Sequence, residues 1–133
     1  MQLKRHLAVF SILVYSCFLF AQNLDGYRFE EMLGRAKNGE LAPQIIVGVC
    51  YMTGQQVAKD EKEGFRWFLS AAEGGEPAAF ANVARCYQQG IGTAQDYAAA
   101  AKWYQKAAET GDAFAQYQLA WQYENGYGIE ANN

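Results

Sequence analysis

The sequence contains a single histidine, His6, among its 133 residues. His6 follows the basic pair Lys4 and Arg5 and directly precedes a run of 14 mostly apolar residues, 7–20. This order of basic and apolar segments predicts a secretory signal peptide over residues 1–21, and its removal also removes His6. The processed chain then has no imidazole for a hydrolase triad, a zinc site or general acid catalysis.

Long apolar runs are also absent. The 14-residue run falls short of the roughly 20 residues that a helix needs to cross a bilayer, and residues 22–133 contain no longer one. We therefore expect no stable membrane insertion after cleavage, and a periplasmic or secreted location. Cleavage after Ala21 and cleavage after Ser16 both stay open. Cys17, which follows Ser16, is a weak lipidation signal.

Positive charge is scarce in the processed chain. Cleavage after Ala21 leaves nine Lys and Arg residues against 14 Asp and Glu residues, so the net charge moves from −3 to −5. No basic stripe is left to neutralise a run of phosphates, which argues against a nucleic-acid partner. The sequence also contains no metal-ligand cluster and no phosphate loop, and 90–92 reads as a turn between helices. We expect no metal, no cofactor and no catalytic residues.

From Gly39 onward the sequence repeats itself every 36 residues. A period of this length, with two helix-length segments per unit, predicts a solenoid whose units bury their apolar faces against their neighbours. The same residue type recurs at Gly39, Gly75 and Gly111, at Tyr51, Tyr87 and Tyr123, at Gly54, Gly90 and Gly126, and in the pairs Asp60/Asp96, Trp67/Trp103 and Glu73/Glu109.

Each unit predicts a hairpin of two helices. Apolar residues recur at spacings of three and four in both segments. Asp60 and Asp96 are candidate N-caps of the second segments, and Glu76 and Asp112 precede first segments, where a negative charge favours the helix dipole. A glycine follows the first segment in every copy. The predicted first helices are Leu41–Thr53, Pro77–Gln89 and Ala113–Asn125, and the second helices run from Asp60 to about Glu73 and from Asp96 to about Glu109.

The repeated tryptophans, Trp67 and Trp103, are predicted to be core residues. Small residues face them at Gly48 and Ala84, so we expect each indole ring to lie over the small residue of the partner helix. A ligand-binding role for these rings is the competing interpretation.

Two cysteines, Cys50 and Cys86, occupy equivalent positions one unit apart. Packed helices lie roughly 8–10 Å apart, whereas a disulfide needs Cα atoms within about 7 Å. We therefore expect two buried thiols and no disulfide.

The best preserved unit, 75–110, resembles the Sel-one-like repeat, a relative of the tetratricopeptide repeat. The residues that carry the resemblance are Gly-Ile-Gly-Thr at 90–93, Asp96, Ala-Lys-Trp-Tyr-Gln-Lys-Ala-Ala-Glu at 101–109 and Gly-Asp-Ala at 111–113. On this basis the chain divides into a capping helix within 22–38, a degenerate unit 39–74 in which Gln56 replaces a loop glycine, the unit 75–110, and a partial unit 111–133.

The resemblance implies an all-α, right-handed α/α superhelical solenoid whose concave face binds a protein or a peptide without catalysis. Because a fold alone does not give a function, this adaptor role is an analogy. Two alternatives stay open: an envelope enzyme that uses carboxylate chemistry on cell-wall material, and a non-binding structural remnant of a longer repeat protein.

The variable positions of the first helices predict the binding surface. Arginine and aromatic residues are the usual anchors of interfaces, so we predict that Arg85, Phe114, Tyr117 and Trp121 contact the partner. The alternative is that the three aromatic residues pack the end of the solenoid. The positions compared are Ala42/Ala78/Phe114, Ile45/Ala81/Tyr117, Val49/Arg85/Trp121 and Met52/Gln88/Glu124.

The third unit has no second helix in the sequence, which ends at Asn133. Its first helix would then leave Leu119, Ala120 and Tyr123 uncovered, although end units of a solenoid normally present a polar face. We expect self-association through this half-repeat, docking of another protein, a helix that bends back, or a naturally longer chain.

Overall fold

The computed structural model describes residues 28–128, which fold into six α-helices and no strand. Residues 1–27, which include the predicted signal peptide, and residues 129–133 lie outside the described residues. The predicted all-α solenoid is confirmed, and its repeat helices have the predicted bounds, apart from the exact start of the second ones. The helices are α1 (Phe29–Lys37), α2 (Leu41–Thr53), α3 (Glu61–Glu73), α4 (Pro77–Gln89), α5 (Tyr97–Glu109) and α6 (Ala113–Asn125).

Each helix packs chiefly against the helices next to it in sequence, so the described chain forms a row of hairpins. None of the helices within residues 28–128 is both long and apolar enough to cross a membrane.

Helix ends follow from side-chain and backbone chemistry. The carboxylates of Asp60 and Asp96 accept hydrogen bonds from the backbone N–H groups of Glu63 and Ala99, at 3.2 and 3.0 Å, and so cap α3 and α5. A glycine in the left-handed region ends each first helix, because only glycine adopts that conformation without strain. These glycines are Gly54, Gly90 and Gly126, with φ of 73°, 69° and 68°.

Close approach of α2 and α3 depends on two glycines. A Cβ atom built on Gly48 would lie 2.7 Å from the Phe68 ring and 3.2 Å from the carbonyl oxygen of Gly64. The Phe68 ring therefore fills the space that a side chain at Gly48 would occupy. Tyr104 holds the equivalent position in the next unit and is fully buried.

The prediction that Trp67 lies over Gly48 was wrong, because the neighbouring residue Phe68 holds that place. Trp67 and Trp103 are half-buried and pack against the edge of the core. The Trp103 ring lies 5.8 Å from the Phe80 ring, and the ammonium group of Lys106 lies 4.7 Å from the Trp103 ring centroid. The tryptophans thus lie at the edge of the core, whereas Phe68 and its equivalent lie at its centre.

A residue with a left-handed backbone conformation, in the loop after each first helix, lies where one unit contacts the unit before it. Gln56, Gly92 and Gly128 are 36 residues apart, with φ of 64°, 69° and 68°. A Cβ atom on Gly92 would overlap the backbone carbonyl group of Glu61, the first residue of α3. The loop backbone therefore lies directly against the start of the second helix of the preceding unit.

Gln56 keeps this geometry without being a glycine. Its side-chain oxygen Oε1 accepts a 3.0 Å hydrogen bond from the backbone N–H of Phe29, the first residue of α1. Residue 28 provides no side-chain cap for α1, so Gln56 satisfies one of the free amides at that end. In the degenerate unit, a side-chain cap on α1 therefore takes the place of the close backbone contact that Gly92 makes in the next unit.

The tight loop contact predicts an unusual sensitivity at Gly92. Substituting alanine at Gly75, which has φ of 93° and open space around it, imposes only the left-handed conformation, at about 1–2 kcal/mol. In Gly92→Ala the methyl group also collides with backbone, which adds about 1–3 kcal/mol. Urea denaturation of both variants checks this difference. An equal loss in both would show that the loop does not pack against α3.

One face of α6 is open. Val47 and Val83, at equivalent positions in α2 and α4, are fully buried, whereas Leu119 is half-buried and Tyr123 is 51% exposed. No helix within residues 28–128 covers this face. The expected exposure is therefore observed, and self-association through it stays a prediction.

A buried glutamine marks the same helix. Gln122 occupies the repeat position of Cys50 and Cys86 and is fully buried, yet neither polar atom of its side chain has a hydrogen-bond partner among the described residues. A buried polar group without a partner costs about 1–3 kcal/mol. Gln122 therefore weakens the packing of α6 on α5.

Replacing Gln122 by methionine, which has nearly the same shape, is expected to raise the free energy of unfolding by about 1–3 kcal/mol. The matched control is Gln105→Met at an exposed position of α5, which we expect to stay within about 0.5 kcal/mol of the parent. Chemical denaturation measures both. A loss of stability in Gln122→Met would mean that the amide is satisfied in solution.

Candidate binding groove

Two adjoining hollows open where the first helices of successive units meet. The first hollow has a volume of about 430 Å³ and the second of about 530 Å³, and both include Gln89 and Gln118 in their walls. We call the two together the binding groove. The first hollow is defined by Met52, Glu61, Asn82, Arg85, Cys86 and Phe114, and the second by Gln88, Gln95, Tyr97, Tyr117, Gln118 and Trp121.

The two hollows are the same structural feature one unit apart. Four wall positions of the first recur in the second after 36 residues, so the backbone geometry repeats while the side chains differ. Charged groups of the first hollow are replaced by aromatic rings in the second. The corresponding pairs are Met52/Gln88, Glu61/Tyr97, Asn82/Gln118 and Arg85/Trp121.

The structure places the four predicted contact residues in this groove. Arg85 and Phe114 line the first hollow, and Tyr117 and Trp121 line the second. Arg85, Phe114 and Trp121 are half-buried, and Tyr117 is 68% exposed. Their role as contacts stays a prediction.

The other variable positions do not all form a surface. Ile45, Val49 and Ala81 were expected beside the predicted contacts, but they are only 7%, 3% and 4% exposed. Ile45 and Val49 belong to the core cluster that contains Phe29 of α1, so packing of the capping helix takes them out of the solvent. Variation between repeats therefore marked core positions as well as surface ones.

A chain of hydrogen bonds links three helices beside the second hollow. The hydroxyl group of Tyr104 on α5 donates to Oε1 of Gln88 on α4 at 2.8 Å. The Gln88 amide nitrogen then donates to Oε1 of Gln118 on α6 at 3.1 Å. These bonds fix the orientation of the Gln88 amide at the edge of the hollow. Gln118 was not predicted as a site residue, although Asn82 is an amide at the same repeat position.

Three stacked rings stiffen the wall of the second hollow. Tyr127 lies between Tyr97, at a ring distance of 4.7 Å, and Trp121, at 5.2 Å. The ring planes are inclined by 19° and 28°, which is the offset-stacked arrangement that aromatic pairs favour. The Gln95 amide nitrogen donates to the Tyr97 hydroxyl at 3.1 Å and to the carbonyl oxygen of Gln88 at 2.8 Å. Sequence periodicity gave no signal for this stack.

The thiol in the first hollow is not a nucleophile. Burial raises the pKa of Cys86 to about 12; the positive charge of Arg85 opposes this shift and Glu61 adds to it. Burial also raises the pKa of Cys50, and both cysteines are free, as predicted. Nucleophilic cysteines need a lowered pKa, so both thiols are structural.

The described part of the chain holds no group of three or more His, Cys, Asp and Glu side chains placed to bind a metal ion. A further hollow of about 640 Å³ lies between loops and is lined by exposed charged residues, among them Lys59 and Glu61, which pair with each other at 3.4 Å. This hollow contains a surface ion pair, and none of the residues that line it is buried.

The raised pKa of Cys86 predicts a pH dependence of stability. The unfolded chain loses this proton near its ordinary pKa of 9.0, whereas the folded chain keeps it up to about 12. The contribution is therefore complete below pH 9 and declines as the pH rises towards 12. Between pH 8 and pH 10 the unfolding free energy of the parent should fall by about 1.4 kcal/mol more than that of Cys86→Ala.

Denaturation curves in reductant at the two pH values measure this difference, and Cys86→Ala itself serves as the control for tyrosine and lysine titration. Parallel losses in parent and variant would show that the Cys86 thiol is accessible in the folded chain.

The fold and the groove define an all-α repeat solenoid, and comparison with known families agrees. The Sel1 repeat model matches residues 44–76, 77–112 and 113–133. The chain belongs to the Sel1 repeat family. No curated protein matches it at a significant level.

Solved structures share the architecture. One is a protective antigen of uropathogenic Escherichia coli strains with an SLR fold, which is 35% identical with a TM-score of 0.76 over 78% of this chain. Another is a Sel1 repeat protein from Oxalobacter formigenes, which is 30% identical with a TM-score of 0.74 over 77% of this chain. This chain covers 22% and 42% of the length of those two proteins.

Proposed function

We propose that the protein is an exported scaffold that binds a segment of another protein, or a peptide, in the binding groove and performs no catalysis. Sel1 repeat proteins are usually scaffolds for protein interactions, which supports the class of function. Export rests on the predicted signal peptide at residues 1–21. The observation that carries the proposal is the pair of repeat-related hollows that adjoin at Gln89 and Gln118.

The geometry suits an elongated ligand. Because the hollows adjoin, a ligand in one reaches the other without leaving the surface. Arg85 and Phe114 provide a charged donor and an apolar ring in the first hollow, and Tyr117 and Trp121 provide two further rings in the second. Interfaces concentrate their binding energy in a few arginine and aromatic side chains of this kind.

Photocrosslinking in the producing cells tests this function. Benzoylphenylalanine at Gln89, which lies in the walls of both hollows, should give a discrete adduct with one partner. The same group at Lys102, an exposed residue of α5 that lines neither hollow, is the matched control and should give none. Adding Arg85→Ala and Trp121→Ala together should lower the affinity by on the order of a thousandfold, since anchor residues each contribute about 2 kcal/mol.

Circular dichroism of the variants confirms that they fold. Equal adducts at Gln89 and Lys102, or adducts that persist in the double variant, would exclude the groove as the binding surface. A groove that captures nothing would favour the non-binding structural remnant. Turnover of cell-wall material that survives Arg85→Ala and Trp121→Ala would favour the carboxylate enzyme.

A further inference from the structure

The second hollow contains no charged residue in its wall. Four glutamines and three aromatic residues line it, whereas the first hollow contains Arg85 and Glu61. The wall of the second hollow offers a charged ligand group no ionic partner. The wall chemistry therefore favours an occupant that is uncharged, offers apolar faces to the rings and pairs with amides. The wall residues are Gln88, Gln89, Gln95, Tyr97, Tyr117, Gln118 and Trp121.

We infer that the second hollow binds a proline-rich segment of the partner in the polyproline II conformation. This inference rests on the proposed function, since it specifies which kind of peptide the groove takes. Aromatic-lined grooves recognise such segments because their conformation is already extended and little entropy is lost on binding.

Hydrogen bonding supports this ligand. A polyproline II backbone makes no internal hydrogen bonds, and proline has no N–H group. The carbonyl oxygens of such a segment therefore accept hydrogen bonds only from groups outside it. Gln118 accepts a hydrogen bond from Gln88 through Oε1, so its amide nitrogen, which has two N–H groups, acts only as a donor. The Gln118 amide is therefore a donor for a ligand carbonyl group, held in place by the bond from Gln88.

The rings supply the apolar part of the site. Tyr117 is 68% exposed and stands at the rim, while Trp121 is half-buried and held by its stacking on Tyr127. A pyrrolidine ring is puckered and apolar, and its C–H groups pack on the faces of aromatic rings of this kind. Because Trp121 and the Gln88 amide are already fixed, binding orders few side chains, which favours affinity.

Fluorescence anisotropy with a labelled decaproline peptide tests the inference on the full processed chain. The comparison peptide is an alanine–serine decamer with the same label, and chitotriose serves as an uncharged sugar competitor. Decaproline should bind about tenfold more tightly than the comparison peptide, a difference of 1.4 kcal/mol. Trp121→Ala and Gln118→Leu should each weaken decaproline binding by about tenfold, and Lys102→Ala should leave it unchanged.

The outcomes separate this inference from the proposed function. Equal binding of the two decamers overturns the proline preference and leaves peptide binding standing. Binding of neither decamer also overturns the inference, while the crosslink at Gln89 judges the proposed function by itself. Displacement of decaproline by chitotriose, or Trp121-dependent binding of chitotriose alone, would identify a glycan site and overturn the inference. Unaltered binding in Trp121→Ala would place the peptide elsewhere.

Discussion

Contact between a loop and the unit before it is the constraint on which the described structure depends. Each helix packs chiefly on its sequence neighbours, so unit-to-unit geometry is set locally. At Gly92 and Gly128 the loop backbone lies against the start of the preceding second helix, where no Cβ atom fits. Gln56 adopts the same left-handed conformation and caps α1 with its side chain. The same left-handed backbone conformation therefore occurs with glycine in two units and with glutamine in the other.

The binding groove is a product of this repetition. Because the sequence repeats every 36 residues, a hollow recurs between successive units, and substitutions at equivalent wall positions alter its chemistry. The exchange of Arg85 for Trp121, and of Glu61 for Tyr97, turns a charged hollow into an uncharged aromatic one. A repeat protein can in this way build a ligand-binding surface of mixed character from a single backbone plan.

Stability is unevenly distributed along the row of hairpins. Only Ala115 and Gln122 are buried in α6, and the amide of Gln122 has no partner among the described residues, whereas α2 buries seven residues. The ring stack of Tyr97, Tyr127 and Trp121 and the bond from Gln88 to Gln118 hold α6 in its place. The side chains that define the second hollow thus also hold the least buried helix in place.

Periodicity and capping chemistry determined the helices, their hairpin pairing and the unpaired state of Cys50 and Cys86, because these depend on spacing along the chain. Tertiary packing decided which side chain is central. Phe68 and not Trp67 covers Gly48, and Ile45 is buried, since neighbours on a helix differ by about 100° and only the facing helix selects between them. The contacts of Gln118 and Tyr127 likewise join separate units, so no local pattern in the sequence records them.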